Sequence, residues 1–101
     1  MIVINAAMQA DADTIDAMKQ AIAKMETASL AEEGCHDYCF SQELSDPTRM
    51  RITERWETME ALAAHFQTPH MADFQAAMAA HPPKGMDLFC YDATEVDMPP
   101  R

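Results

Sequence analysis

Residues 35–57, "CHDYCFSQELSDPTRMRITERWE", hold two short strand-like runs around a turn, and their pairing decides the fold. The second run alternates. Met50, Ile52, Glu54 and Trp56 share one face; Arg49, Arg51, Thr53 and Arg55 share the other. A period of two is that of a half-buried strand. The first run carries Tyr38 and Phe40, and "SDPT" (45–48) between the two sets Asp46 and Pro47 where a turn needs them. The pattern predicts an antiparallel hairpin.

Outward from the hairpin the period changes twice. Upstream, "MIVINAAM" (1–8) opens with the β-branched run Ile2, Val3, Ile4 and reads as a strand. In "DADTIDAMKQAIAKMETASLAEE" (11–33), Ile15, Met18, Ile22 and Met25 form a helical stripe, with Asp11 or Asp13 placed to cap it and Gly34 to stop it. Downstream, Thr58 caps a short helix with Met59, Leu62 and Phe66 on one side. Thr68 caps another, with Pro69 in its first turn and Met71, Phe74 and Met78 on its apolar face. "MDLFCYDATEV" (86–96) reads as the last strand and "DMPPR" as a polar tail from about residue 97.

The order is β-α-β-β-α-β with the second helix split, an α+β chain of the ferredoxin-like type. At 101 residues it makes one domain, 1–101, that buries roughly two-thirds of its unfolded surface. Four strands covered by helices on one side leave the other side bare. Trp56, Ile52, Phe89 and Tyr91 supply more apolar surface than two such faces can expose, so a homodimer packed sheet against sheet is expected.

A net charge of −10 excludes a nucleic-acid binder, which needs a basic stripe, and an anionic membrane surface as partner. No run approaches the ~20 apolar residues of a membrane span, and no signal-like segment opens the chain, so a cytoplasmic location is expected. Ten methionines suit an adaptable core or pocket wall. Cys35, Cys39 and Cys90 fit no metal spacing, and Cys35 and Cys39 stand ~13 Å apart along a strand, too far for a disulfide. Reduced thiols are expected.

Chemistry-bearing residues are few. Glu54, between Ile52 and Trp56, is either a proton acceptor or substrate anchor with a raised pKa, or a hydrogen-bonded structural carboxylate. In "HFQTPH" (65–70) the Thr68–Pro69 break puts His65 and His70 on different helices. That spacing does not select for a metal, and only Glu54 or Asp73 is in view as a third ligand, so no metal is expected. His70 sits at a helix N-terminus, where a neutral imidazole, usable as a base, is favoured. It reads either as that base or as a packing residue. No Gly-rich phosphate loop, nucleotide fingerprint or nucleophile elbow is present.

Three stretches in order, "EEGCHDY" (32–38), "ITERWET" (52–58) and "LAAHFQTPHMADFQAAM" (62–78), resemble the antibiotic biosynthesis monooxygenase family, closest to its bacterial quinol monooxygenase branch. The resemblance implies a dimeric α+β barrel of ferredoxin-like protomers. It also implies oxygenation of quinol-type or polycyclic aromatics by O₂ with no cofactor. Trp56, His65 and His70 are marked by it as pocket-side residues. Spacing adds Phe66, Phe74 and Tyr38, and the first strand adds Asn5. The expected roles are His70 or His65 as base or polar anchor, Trp56 and the Phe rings as walls, and Asn5 as donor to a developing oxyanion. Haem-degrading relatives resemble an Asn-Trp-His arrangement from which this chain departs, with Gln75 and His65 at the histidine and tryptophan positions. A non-catalytic dimer that binds an aromatic metabolite would use the same residue types.

Overall fold

Alternation along the strands fixes which side chains meet the helices. In a computed structural model describing residues 1–101, the elements run β1 (Ile2–Gln9), α1 (Ala12–Leu30), β2 (Cys35–Gln42), β3 (Arg49–Trp56), α2 (Met59–His65), α3 (Pro69–Ala80) and β4 (Gly85–Asp92). The strands form one antiparallel sheet in the order β2-β3-β1-β4, the ferredoxin-like arrangement that the sequence predicts. Ile2, Ile4, Ala6 and Met8 of β1 and Met50, Ile52, Glu54 and Trp56 of β3 are buried under the helices. No helix is long and apolar enough to cross a membrane.

Register sets the floor on which a site could be built. Tyr38, Glu54, Ile4 and Cys90 pair in one row across the helix-covered face, and Phe40, Ile52, Ala6 and Leu88 in the next. From α1, Ile15, Met18 and Met25 pack down on these rows, as their spacing predicts. The Phe40 N–H donates to Glu26 Oε2 at 2.7 Å and ties α1 to the outer strand β2.

Both short-helix caps form as the sequence predicts. Thr58 Oγ1 accepts from the Ala61 N–H at 3.1 Å, and Thr68 Oγ1 accepts from the Met71 N–H at 3.3 Å while donating to the His65 carbonyl at 2.7 Å. The start of α1 differs. Asp11 holds the cap position without a side-chain cap bond, and its carboxylate meets Lys84 Nζ at 2.7 Å instead.

Two element ends also differ from expectation. α1 stops at Leu30, short of Glu33, because the chain turns inward: the Glu32 N–H donates to the Ser29 carbonyl and the Cys35 N–H to the Glu32 carbonyl. Gly34, at φ +82°, closes that turn against α2, where a Cβ would lie 2.8 Å from Ala61 Cβ. β4 ends at Asp92, which pairs with Ile2 at the start of β1; beyond it the Ala93 N–H donates to the Met1 carbonyl at 2.8 Å, and residues 94–96 have no strand left to pair with.

The faces divide differently from the reading that grouped Trp56 and Ile52 with Phe89 and Tyr91. Trp56 and Ile52 are buried on the helix side, whereas Phe89 and Tyr91 lie on the other face, about half exposed, with rings stacked at 6.5 Å and 22°. Every residue of β4 is exposed, on both faces of this edge strand.

Candidate functional site

Between the sheet rows and the helix pair α2–α3 lies a cavity of about 250 Å³. Ile4, Tyr38, Phe40, Ile52 and Glu54 form its floor; Leu62 of α2, Phe66 just past its end, and Met71, Phe74 and Met78 of α3 form its roof. Met86 and Leu88 of β4 and the half-exposed Phe66 stand at its open side. The lining is apolar apart from Tyr38, Glu54 and Gln75. That composition suits a flat, mostly apolar ligand with few polar groups.

Glu54 is the carboxylate in this lining. It is buried, and its Oε1 accepts a hydrogen bond from Trp56 Nε1–H at 2.9 Å. Burial raises its pKa, opposed by the Trp56 bond and by the nearness of His65. No Lys or Arg pairs with it, so one of its oxygens is fixed by the indole while the apolar surroundings keep the carboxylate basic. Tyr38 pairs with it across the strands, and burial followed by the Glu54 charge pushes its phenol far above the ordinary range. Tyr38 therefore stays protonated and is a donor.

Behind the Trp56 end of the cavity the two histidines meet a residue that the sequence did not single out. Glu32 Oε2 lies 2.6 Å from His65 Nδ1 and 2.8 Å from His70 Nε2. A carboxylate only accepts, so each imidazole donates an N–H to it. His65 is 1% exposed, with its ring 4.8 Å from that of Trp56 and 5.4 Å from that of Tyr38. The third group joined to the histidines is thus Glu32, not Glu54 or Asp73. No spacing rule could have found it, since Glu32 lies 33 and 38 residues from its partners. Its one signal is the acidic pair before Gly34 in "EEG".

The structure therefore sorts the expected site residues into three places. Glu54, Tyr38, Phe66 and Phe74 line the cavity. Trp56 and His65 are buried behind its wall, and His70 faces a separate recess between α1 and α3 with Gln20, Lys24 and Asp73. Asn5 is on the opposite face of the sheet, in a shallow recess with Arg51, Thr53 and Phe89. Because Ile4 and Ala6 point to the helices, the residue between them must point away. Among the three free cysteines, Cys35 has its thiol pushed up to about 11, chiefly by burial and next by Glu32, so it is not a thiolate at neutral pH.

Residues 1–77 match the model of the family described as antibiotic biosynthesis monooxygenase. The chain belongs to that family. Among curated relatives, 64 residues are 36% identical to the probable quinol monooxygenase YgiN of Escherichia coli K12; the match takes in 55% of this chain and spans 62% of the length of that protein. Among solved structures, a protein of Deinococcus radiodurans superposes with a TM-score of 0.88 at 24% identity over the whole of both chains. Rv0793 of Mycobacterium tuberculosis superposes with a TM-score of 0.83 at 18% identity, over 96% of this chain and 98% of that one. These two likenesses concern the fold. In this antibiotic biosynthesis monooxygenase domain, the matched stretch 1–77 carries β1, β2, β3, Glu32, His65 and His70, whereas β4 lies beyond it.

Proposed function

We propose that the protein is a cofactor-independent monooxygenase that oxidises quinol-type or polycyclic aromatic substrates with O₂. The observation that carries this reading is a desolvated carboxylate, Glu54, on the floor of an apolar cavity between sheet and helices. Family membership and the E. coli relative support a monooxygenase-type activity. Deprotonated by Glu54, a quinol becomes an electron-rich phenolate that can itself reduce O₂. One electron passes to give a semiquinone and superoxide, which combine to a hydroperoxide; loss of water leaves one oxygen atom in the hydroxyquinone and the other in water. The substrate supplies all the electrons. The protein binds, deprotonates and shields it, and Tyr38, a protonated phenol in the cavity lining, is the proposed donor to an oxyanion. In this scheme His65, Glu32 and His70 act from behind the wall, through Trp56, as positioning residues.

Oxygen uptake with a panel of reduced quinones and anthrones tests the proposal. Consumption of one O₂ per substrate oxidised, with no added flavin or metal salt, is the expected result. Ligand binding by calorimetry without uptake would instead establish a non-catalytic aromatic-binding protein.

We further propose that the sheet's open face joins two copies into a homodimer in the cytoplasm. Phe89 and Tyr91, stacked and half exposed there, support it. Sedimentation at micromolar concentration is expected to give a dimer, and Tyr91→Lys to shift it toward monomer. A monomeric wild-type protein would overturn this assembly.

A further inference from the structure

We propose that Glu32, His65 and His70 form a binding site for one divalent first-row transition-metal ion, separate from the cavity. The three side chains come from the α1–β2 turn, the end of α2 and the start of α3, and their ligand atoms lie within 4.8 Å of one another. Two imidazole nitrogens and one carboxylate oxygen suit Zn²⁺, Co²⁺, Ni²⁺ or Fe²⁺, whereas Ca²⁺ and Mg²⁺ prefer all-oxygen shells.

Charge argues in the same direction. Glu54 is buried and Glu32 is 13% exposed, yet neither pairs with Lys or Arg; the partners of Glu32 are the two histidines and that of Glu54 is Trp56. A cation held by Glu32 would offset this local excess of negative charge. Tetrahedral ligands with ~2.0–2.1 Å bonds stand ~3.3 Å apart, so on binding the 2.6 and 2.8 Å contacts to Glu32 open by roughly 0.5–0.7 Å and the two imidazole nitrogens, within 4.8 Å of each other, draw together. An entry path exists as well. His70 keeps 24% of its side chain exposed and lines the solvent-open recess with Gln20, Lys24 and Asp73. A bound ion would clasp the two short helices to the turn below them, with Trp56 between it and the cavity.

Metal-stripped protein titrated with Zn²⁺ is expected to bind one ion per chain and to melt at a higher temperature. Co²⁺ is expected to give the ligand-field bands of a nitrogen–oxygen site without a sulfur charge-transfer band. Glu32→Gln and His70→Ala should each weaken Zn²⁺ binding by about 100-fold or more while far-UV circular dichroism shows the fold retained. A wild-type readout covers the case of a variant that fails to fold: stoichiometric Co²⁺ should shift the ring resonances of His65 and His70 and leave those of His36 and His81 in place. No saturable binding by the wild type, unchanged affinity in both variants, or unshifted His65 and His70 resonances would overturn the proposal.

Discussion

Glu54→Gln is expected to lower turnover of a quinol substrate by about 100-fold or more, the usual contribution of a positioned general base. Gln keeps the shape and the acceptor for Trp56 Nε1–H, so the wall of the cavity stays in place while the proton acceptor is lost. The same variant is expected to be more stable than the wild type at neutral pH. The sign follows from linkage. Burial raises the pKa of Glu54 in the folded state, so the stability contributed by the neutral carboxyl is full below the ordinary carboxylate range and is lost as pH rises through the elevated folded value. Gln escapes that loss. Melting curves should therefore show the variant's advantage growing from acid toward neutral pH. An unchanged turnover would remove Glu54 as the base, and an advantage confined to acid pH would contradict its desolvation.

Gly34→Ala is expected to cost about 2–5 kcal/mol of stability, measured by urea or thermal unfolding. Two effects add. A left-handed backbone costs an L-residue ~1–2 kcal/mol, and overpacking costs a further ~1–3. Here the added methyl would meet Ala61 Cβ at 2.8 Å, an atom fixed to the backbone of α2 that cannot swing aside. In a domain of this size the loss corresponds to a midpoint lower by roughly 10–25 °C. Gly85→Ala is the control. Nothing lies within 4 Å of its added methyl, and a change within ~0.5 kcal/mol is expected. Equal losses at the two positions would show that the close approach of the turn to α2 is not what Gly34 provides.

Period and punctuation carried the fold. The two-residue alternation in β3, the helical stripe of α1 and the Thr58 and Thr68 caps each lie within a few neighbouring residues, and each formed as its local pattern requires. The site was legible only where it follows from such periodicity. Glu54 shares a strand face with Trp56, and Phe74 shares a helix face with Met71, so these could be placed from spacing. Glu32 could not. Its carboxylate reaches His65 and His70 because a helix ends early and a left-handed glycine turns the chain beneath another helix, which is a tertiary event. Asn5 failed for the opposite reason. Its position was chosen by chemistry, while the pleat had already assigned it to the far face. The strand count also told nothing of how β4 would divide its residues between two surfaces.

That division has an evolutionary consequence. Along β4, Met86 and Leu88 face the mouth of the cavity, and the residues between and beyond them, Asp87, Phe89 and Tyr91, face away. Ligand preference and self-association would thus be encoded in interleaved letters of one word, readable separately because the pleat never mixes them. On the proposed assembly, a lineage could enlarge or narrow the mouth at positions 86 and 88 while leaving the dimer face intact, or retune that face at 89 and 91 without altering the mouth. A single-residue insertion in β4 would exchange both sets at once. Point substitutions here are a route to new specificities, and length changes are a barrier to them.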